Sequence, residues 1–235
     1  MKIFKKTGVL WIPIFLISLL LLLLGYRTFS HGMAEHMAHI YIGALRDIVV
    51  IGLMIPMGAL LLLWKIDNCM VGSQVIAFQG RENWWKALNR ILIKDCLGIT
   101  VVLLFPVLIM ANICIGLMHT WAEICYVFFL FLTCFLCFYF VAVCMAIIQI
   151  TIHRGIVAFC FALLISYMPN AATSLLRWLE LPTIGGIFNL SYAFHENEFK
   201  WVLCQNICVF LLFLLVFMRH IGKNLIQRQD IFWRM

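Results

Sequence analysis

Six long apolar blocks alternate with short polar segments along this chain of 235 residues. The blocks run from about 8–25, 48–64, 96–117, 124–152, 155–168 and 201–218. A helix needs about 20 predominantly apolar residues to cross the hydrocarbon core of a bilayer. The pattern therefore predicts an all-α, polytopic membrane protein, in which one domain (1–235) contains six transmembrane helices.

The composition agrees with this prediction. Hydrophobic residues make up 65% of the chain, charged residues make up 11%, and the mean hydropathy is +1.06. A soluble domain would need a far more polar surface. Most of the ten cysteines fall inside the apolar blocks, where a cysteine behaves as a small hydrophobic residue. The Cys134–Cys137 pair has no charge or His nearby to activate a thiol, which favours helix packing over redox or metal chemistry.

The distribution of Lys and Arg predicts the orientation of the chain. Of 17 basic residues, 13 lie in segments on the side of the N-terminus, and four (Arg27, Arg46, Arg177 and Lys200) lie on the other side. Basic residues are enriched in cytoplasmic loops, so both termini are expected in the cytoplasm. Because topology accounts for the basic excess, we expect no nucleic acid partner.

The apolar blocks carry almost no ionisable side chain. A buried carboxylate or His would be typical of a proton-coupled carrier or an intramembrane enzyme. The sequence also lacks a recognisable catalytic triad, an H-E-x-x-H helix and a phosphate-binding loop. We therefore expect no catalytic residues, no enzyme activity and no cofactor in this chain, and we expect its energy to come from another protein. The blocks also contain polar residues, which are predicted to form hydrogen bonds between helices, with substrate contact as the less favoured alternative. They are Asn112, Thr133, Gln149, Gln205, Asn206 and a few Ser and Thr.

The largest inner segment, 65–95, has the most structured polar sequence. After Gln79-Gly80, apolar residues including Trp84, Trp85 and Leu88 recur at helical spacing, with basic residues between them. Glu82 and Lys86 are spaced for an i,i+4 ion pair. The segment is predicted to be an amphipathic helix. Two compatible interpretations remain: an interfacial helix whose tryptophans lie at headgroup depth, or a docking helix for a cytoplasmic partner.

Two outer segments offer weaker signals. His31, Glu35, His36 and His39 include i,i+4 pairs that could bind a metal, although a solvated polar helix is favoured. The second segment, 169–200, contains an apolar run at 181–188 that is too short to cross the bilayer. This run is predicted either to dip into the outer leaflet and return at Gly185-Gly186, or to form an interfacial helix.

The segment Gly80-Arg81-Glu82-Asn83-Trp84-Trp85-Lys86 resembles a loop of ABC-2 type transporter permeases, specifically the small permeases found with bacterial peptide-export or peptide-immunity ATPases. Further points of resemblance are the tight turn at 153–155, in which Gly155 is expected to break the helix, the long outer segment, and the charged tail Arg228-Gln229-Asp230-Ile231-Phe232. The resemblance covers the whole chain in architecture, and in residues it covers this loop and the tail.

The resemblance implies a subunit of an assembly in the bacterial cytoplasmic membrane. Two permease copies, or two related permeases, would sit above two ABC ATPase subunits that hold ATP and Mg. Residues expected to couple the chain to the ATPase are Arg81, Glu82, Asn83, Trp84 and Trp85, with His153 and Arg154 in a second contact.

The expected function is export of, or immunity to, a peptide or other amphipathic substrate. The substrate path would be apolar and lined by the Phe-rich and Met-rich faces of the second and fourth helices. The alternative is a non-transport membrane component, such as an assembly factor, a sensor partner or an intramembrane enzyme. A neighbouring gene for an ATPase with a phosphate-binding loop would favour transport.

Overall fold

The computed structural model describes residues 7–32, 36–70, 80–115, 121–175, 182–195 and 198–228. It is a helical bundle with six helices long and apolar enough to cross a membrane. These are α1 (Thr7–Ser30), the composite span Asp47–Cys69, α5 (Arg81–Ile115), α6 (Trp121–Ile152), α7 (Gly155–Leu175) and α9 (Trp201–Arg228). The predicted all-α, six-span architecture is confirmed.

The remaining elements are short and lie between spans at one end of the bundle. They are α2 (Met37–Ala44), α8 (Ile184–Asn189), a 3-10 turn (Ser191–Ala193), and the antiparallel pair β1 (Phe194–His195) and β2 (Glu198–Phe199). The opposite end, where α1 and α5 begin, also holds the C-terminal part of α9, because Gly222 packs against Trp85. Both described chain ends therefore lie at the same end of the bundle, and the assignment of that end to the cytoplasm stays a prediction.

The second span consists of α3 (Asp47–Val49), a π-helical turn (Val50–Met54) and α4 (Ile55–Cys69). Pro56 explains the π turn. Proline has no N–H, and its ring clashes with the carbonyl four residues earlier in a regular helix. The N–H of Ile55 instead donates to the carbonyl of Val50, five residues back, so the span continues through the proline.

The amphipathic segment and the third span form one continuous helix. α5 starts at Arg81 rather than near residue 96, and its 35 residues extend about 52 Å, well beyond a hydrocarbon core of about 30 Å. No proline occurs in α5 before Pro106, so nothing breaks the helix between its polar and apolar parts. The first turns of α5 therefore project past the hydrocarbon as a rigid extension of the span.

α6 is the central helix of the bundle. It packs against α4, α5, α7 and α9, and it is the most buried of the six spans in the described part of the chain. α1 runs parallel to α5, because Trp11 lies against Gly98 and Met110 lies against Gly25 at the other end. α7 and α9 are the least buried spans, so they form the outer wall of the bundle.

The turn between α6 and α7 differs from its prediction in one detail. Gly155 was expected to break the helix, but it is the first residue of α7. The residue that reverses the chain is His153, whose φ of 56° is left-handed. Its N–H still donates to the carbonyl of Gln149 (3.0 Å), so the turn closes α6 before the backbone changes direction.

This backbone conformation predicts a graded response to substitution at His153. Asn tolerates the left-handed region, whereas a β-branched residue is strained there by about 1–2 kcal/mol. His153→Val should therefore unfold more easily than His153→Asn, as measured by thermal unfolding in detergent. His220 is an exposed histidine within α9, and Asn and Val have similar helix propensity. The control variants His220→Val and His220→Asn should therefore have the same melting temperature. Equal melting of the two His153 variants would contradict the assigned turn.

Candidate functional site

The residues predicted to couple this chain to a partner gather at one end of the bundle, which we call the basic end. It comprises the last turn of α4 (65–69), the first turns of α5 (81–95), the turn at 153–154, and the last turns of α9 (219–227). The start of α5 contacts both the end of α4 and the end of α9 directly, and the residues that flank the turn contact α4. The geometry of the basic end follows from two buried tryptophans and a small set of polar bonds.

Trp84 and Trp85 lie inside the protein. Trp84 is 0% exposed, and its indole Nε1–H donates to the carbonyl of Cys69 at 2.8 Å. Trp85 is 4% exposed, and its ring fills the space where a side chain at position 222 would be, so only glycine fits there in this packing. These rings do not contact lipid in this conformation, because their face of α5 turns toward α4 and α9. Neither ring is open to a partner in this conformation.

The opposite face of the same helical turns is exposed and charged. Glu82 accepts from Lys86 at 3.3 Å, which confirms the predicted i,i+4 pair, and from Lys223 of α9 at 3.0 Å. Arg81 Nη1 donates to the carbonyl of Gln227 at 3.3 Å. Exposed ion pairs contribute little stability individually, typically about 0–1 kcal/mol. Together with exposed Asn83, these contacts build one polar surface from the start of α5 and the end of α9.

The last turn of α4 connects the two segments predicted to contact a partner. Lys65 pairs with Asp95 of α5 at 3.4 Å. On the other side, the Gln149 amide of α6 donates to Asp67 Oδ1 at 2.7 Å. The Asp67 carboxylate also lies against Gly155, the residue that follows the turn. His153 is half-buried and Arg154 is exposed in this turn, so α4 joins them to the Trp84 region.

Sequence reasoning missed the role of Lys65, Asp67 and Asp95. These residues lie within the 65–95 segment and were counted only as charges on the inner side. The structure places all three within helices, partly shielded from solvent. The signal that could have found them is spacing: Lys65 and Asp67 continue the helical register of the second apolar block without a Gly or Pro between.

The predicted hydrogen bonds between helices are only partly confirmed. Gln149 bonds across to α4, and the Thr133 hydroxyl contacts Cys208 Sγ of α9 at 3.4 Å. Asn112 instead donates to Leu108 in its own helix. The exposed side chains of Gln205 and Asn206 face away from the bundle, so for these three residues the prediction is not confirmed within the described part of the chain.

Another interior bond was not predicted. The Tyr139 hydroxyl of α6 donates to Asn89 Oδ1 at 2.9 Å, and the Asn89 amide donates to the Trp85 carbonyl at 2.8 Å. A buried amide with both its donor and its acceptor engaged fixes the rotation of α5 against α6. The same rotation directs Trp84 and Trp85 into the protein.

At the other end of the bundle, the apolar run forms α8, which is held by polar caps. Asp47 Oδ1 accepts from the Gly185 N–H at 2.6 Å, and Asn170 Oδ1 accepts from the Ile184 N–H at 2.7 Å. Thr183 Oγ1 accepts from the Gly186 N–H at 3.0 Å. These three bonds satisfy the N–H groups of the first turn of α8, which have no partner within the helix itself. Leu181, at the start of the predicted run, lies outside the described residues.

α8 closes one side of an apolar cavity of about 610 Å³ between α6, α7 and α9. Its lining includes Phe138, Val141, Met168, Phe188, Phe210 and Leu214. Ser166, the one hydroxyl in the lining, donates to the carbonyl of Ala162 in its own helix. The cavity is partly open, and its rim residues Met168 and Phe210 are exposed on the outer wall of the bundle. The fourth span, α6, contributes Phe138, Phe140 and Val141 to the lining, whereas the second span contributes only Ile55.

The histidines proposed as weak metal ligands do not form a described site. His31 is exposed, while His36 and His39 lie near each other with ring centroids 5.8 Å apart. Glu35 lies outside the described residues. Within the ranges that the structure describes, no group of three or more His, Cys, Asp or Glu residues could hold a metal ion.

Comparison of this chain with protein-family models, curated proteins and solved structures finds no match. A function can therefore be inferred only from the geometry of the two ends of the bundle and from the resemblance of the 80–86 segment. Of the second part of that resemblance, the tail at 228–232, only Arg228 lies within the described residues.

The buried indole bond predicts a specific stability change. Trp84→Phe keeps the aromatic packing but leaves the Cys69 carbonyl without its donor, which should cost about 1–3 kcal/mol of unfolding free energy. Trp121 is 78% exposed, so Trp121→Phe is the matched control and should leave stability unchanged. Both variants can be compared by denaturant unfolding in lipid–detergent micelles. A Trp84→Phe protein as stable as the control would contradict the assigned bond.

Proposed function

We propose that this chain is the membrane-spanning permease subunit of an ATP-binding cassette exporter. In this proposal it moves a peptide or other amphipathic substrate, or confers immunity to one, while a separate ATPase subunit supplies the energy. The observation that carries the proposal is the apolar cavity between α6, α7 and α9, whose lining includes Met168 and Phe210, which are exposed on the two least buried spans. The polar surface at the basic end supports the second part, a cytoplasmic partner.

The cavity suits the apolar face of an amphipathic molecule. Ligand pockets of about 300–1,000 Å³ are lined predominantly by apolar and aromatic side chains, and this cavity falls in that range. Its opening lies on helices α7 and α9, so a molecule already inserted in the bilayer could enter it sideways without crossing water. A substrate with one apolar face and one polar face would keep its polar face at the headgroups.

The basic end suits a contact with a cytoplasmic ATPase. Arg81, Glu82 and Asn83 present charged and polar groups at the tip of a rigid helix, and exposed Arg154 lies in the neighbouring turn. Trp84 and Trp85 have a different role in this proposal: they tie the tip of α5 to α4 and α9. A force applied at the tip would therefore move α4 and, through Asp67 and Gln149, α6 at the wall of the cavity.

The partners follow from the same proposal. Two ABC ATPase subunits would bind ATP and Mg, this chain would hold no cofactor of its own, and a second copy or a related permease would complete the assembly. The location would be the bacterial cytoplasmic membrane, with the basic end in the cytoplasm, as the excess of Lys and Arg favours.

The partner contact is tested by charge reversal. An Arg81→Glu, Glu82→Lys double variant should lose most of the ATPase that co-purifies with the wild-type chain from its native membrane, because it inverts the surface at the tip of α5. Arg90 and Lys94 are exposed further along the same helix, so Arg90→Glu, Lys94→Glu is the matched control and should retain the ATPase. Equal recovery of the ATPase with both double variants, or its absence from the wild-type preparation, would overturn this part of the proposal.

The cavity is tested by filling it. Ala171 and Ala172 are adjacent, half-buried residues of α7, and only Ala172 lines the cavity. Ala172→Trp should reduce ATP-dependent uptake of a fluorescent amphipathic helical peptide into inverted membrane vesicles at least several-fold, while Ala171→Trp should transport normally. Expression level and melting temperature are measured for both variants. Uptake that is insensitive to Ala172→Trp in a folded protein would remove the cavity from the transport path.

A further inference from the structure

The exposed face of α9 carries amide side chains where lipid is expected. Among the described residues, the exposed Asn and Gln side chains are Asn83, Gln205, Asn206, Asn224 and Gln227. Three of these lie at the basic end, whereas Gln205 and Asn206 lie in the apolar part of α9. Trp201 is exposed, and tryptophan is typical of the membrane interface. Asn206 lies five residues further along the helix, a distance of about 7.5 Å. An amide in that position needs a hydrogen-bonding partner that lipid tails cannot supply.

Asn206 belongs to a regular stripe along this face. The stripe consists of exposed residues at alternating spacings of four and three, which are Val202, Asn206, Val209, Phe213, Val216 and His220. This is the spacing of a heptad seam, in which two helices pack with side chains of one inserted between those of the other. Its three valines recur every seven residues and give the stripe a repeated apolar surface. The exposed wall of α7, by comparison, carries no Asn or Gln.

The same spacing is already used on the other side of α9. Cys204, Cys208 and Leu215 are buried against the bundle, and Gly222 continues their register. Each of these positions follows a residue of the exposed stripe by two. Two residues correspond to about 200° of rotation around the helix, so the two stripes lie on opposite faces. α9 therefore has one seam packed against α6 and an equivalent seam without a described partner.

We propose that the exposed stripe of α9 is a helix–helix interface with a second copy of this chain. Two copies in one membrane share their orientation, so their α9 helices are parallel and identical positions meet across a two-fold axis. Asn is self-complementary, since its amide is both donor and acceptor, and one Asn in a heptad seam fixes register and pairing. Asn206 of one copy then bonds to Asn206 of the other. This interface does not depend on the proposed transport function.

The first test measures the association of the full-length chain in liposomes. Single-molecule photobleaching at increasing dilution should give two copies per particle at high density and one at low density. Asn206→Leu should weaken the association about three- to tenfold, because it removes the bond between the amides. Gln205→Leu, which removes an exposed amide about 100° of helical rotation from Asn206 and off the stripe, should associate as the wild type does. A wild-type chain that stays monomeric at every density, or equal effects of the two variants, would overturn the proposal.

The second test locates the interface without relying on Asn206. In a Cys160→Ser background, which removes the exposed cysteine, Val209→Cys lies on the stripe and Leu203→Cys lies off it. Both positions are exposed, at 58% and 41%. Oxidation in liposomes should cross-link two copies through position 209 and leave position 203 mainly uncross-linked. Cross-linking through position 203 but not 209 would place any contact on another face and contradict the assigned stripe.

Discussion

The arrangement of the basic end depends on one buried interaction, the bond from the Trp84 indole to the carbonyl of Cys69. Because a buried donor or acceptor without a partner costs about 1–3 kcal/mol, the indole and the carbonyl favour the one arrangement of α4 and α5 in which they meet. The Trp84 bond joins the end of α4 to the start of α5, and the Lys65–Asp95 pair reinforces it. Since Asp67 in the same turn bonds to Gln149, α6 is tied to both helices.

The other end of the bundle is organised by side chains that cap the short helix α8. α8 is too short to cross the bilayer and is held by Asp47 and Asn170, each of which accepts from a backbone N–H of its first turn. Tyr126 and Asn189 extend these bonds to the α8 C-terminus, where the hydroxyl donates to the Asn189 carbonyl and the amide donates to the Leu45 carbonyl. α8 thus forms a fixed cover over one side of the apolar cavity. The bundle combines a rigid basic end with a cavity bounded by its two least buried helices.

Much of the fold could be predicted from the sequence, because six apolar blocks of sufficient length leave few alternatives in a bilayer. The lengths of the helices could not, since polar residues continue α5 and α4 beyond the hydrocarbon without any breaker residue. The direction of Trp84 and Trp85 was also beyond sequence reasoning. An amphipathic stretch rich in Trp and Arg has the same pattern whether its apolar face meets lipid or a neighbouring helix, and only the packing of α4 and α9 decides between them.

The position of the cavity could not be predicted from the sequence. Its walls come from α6, α7 and α9, which are far apart in sequence, and its cover comes from a segment whose depth the sequence left open. The amides at 205 and 206 illustrate the same point. Their composition predicted a hydrogen bond inside the bundle, but the register of Cys204 and Cys208 turns them outward. Rotation of a helix about its axis is a tertiary property, and it determines which polar residues become functional candidates.

The central claim is that this chain moves an amphipathic substrate only when another protein drives it from the basic end. The most direct measurement compares liposomes containing the purified chain alone with liposomes that also contain the ATPase recovered with it. The account predicts that the chain alone does not accumulate a fluorescent amphipathic peptide under an imposed proton or sodium gradient, and that the pair does so when ATP is supplied. Gradient-driven accumulation by the chain alone would contradict it.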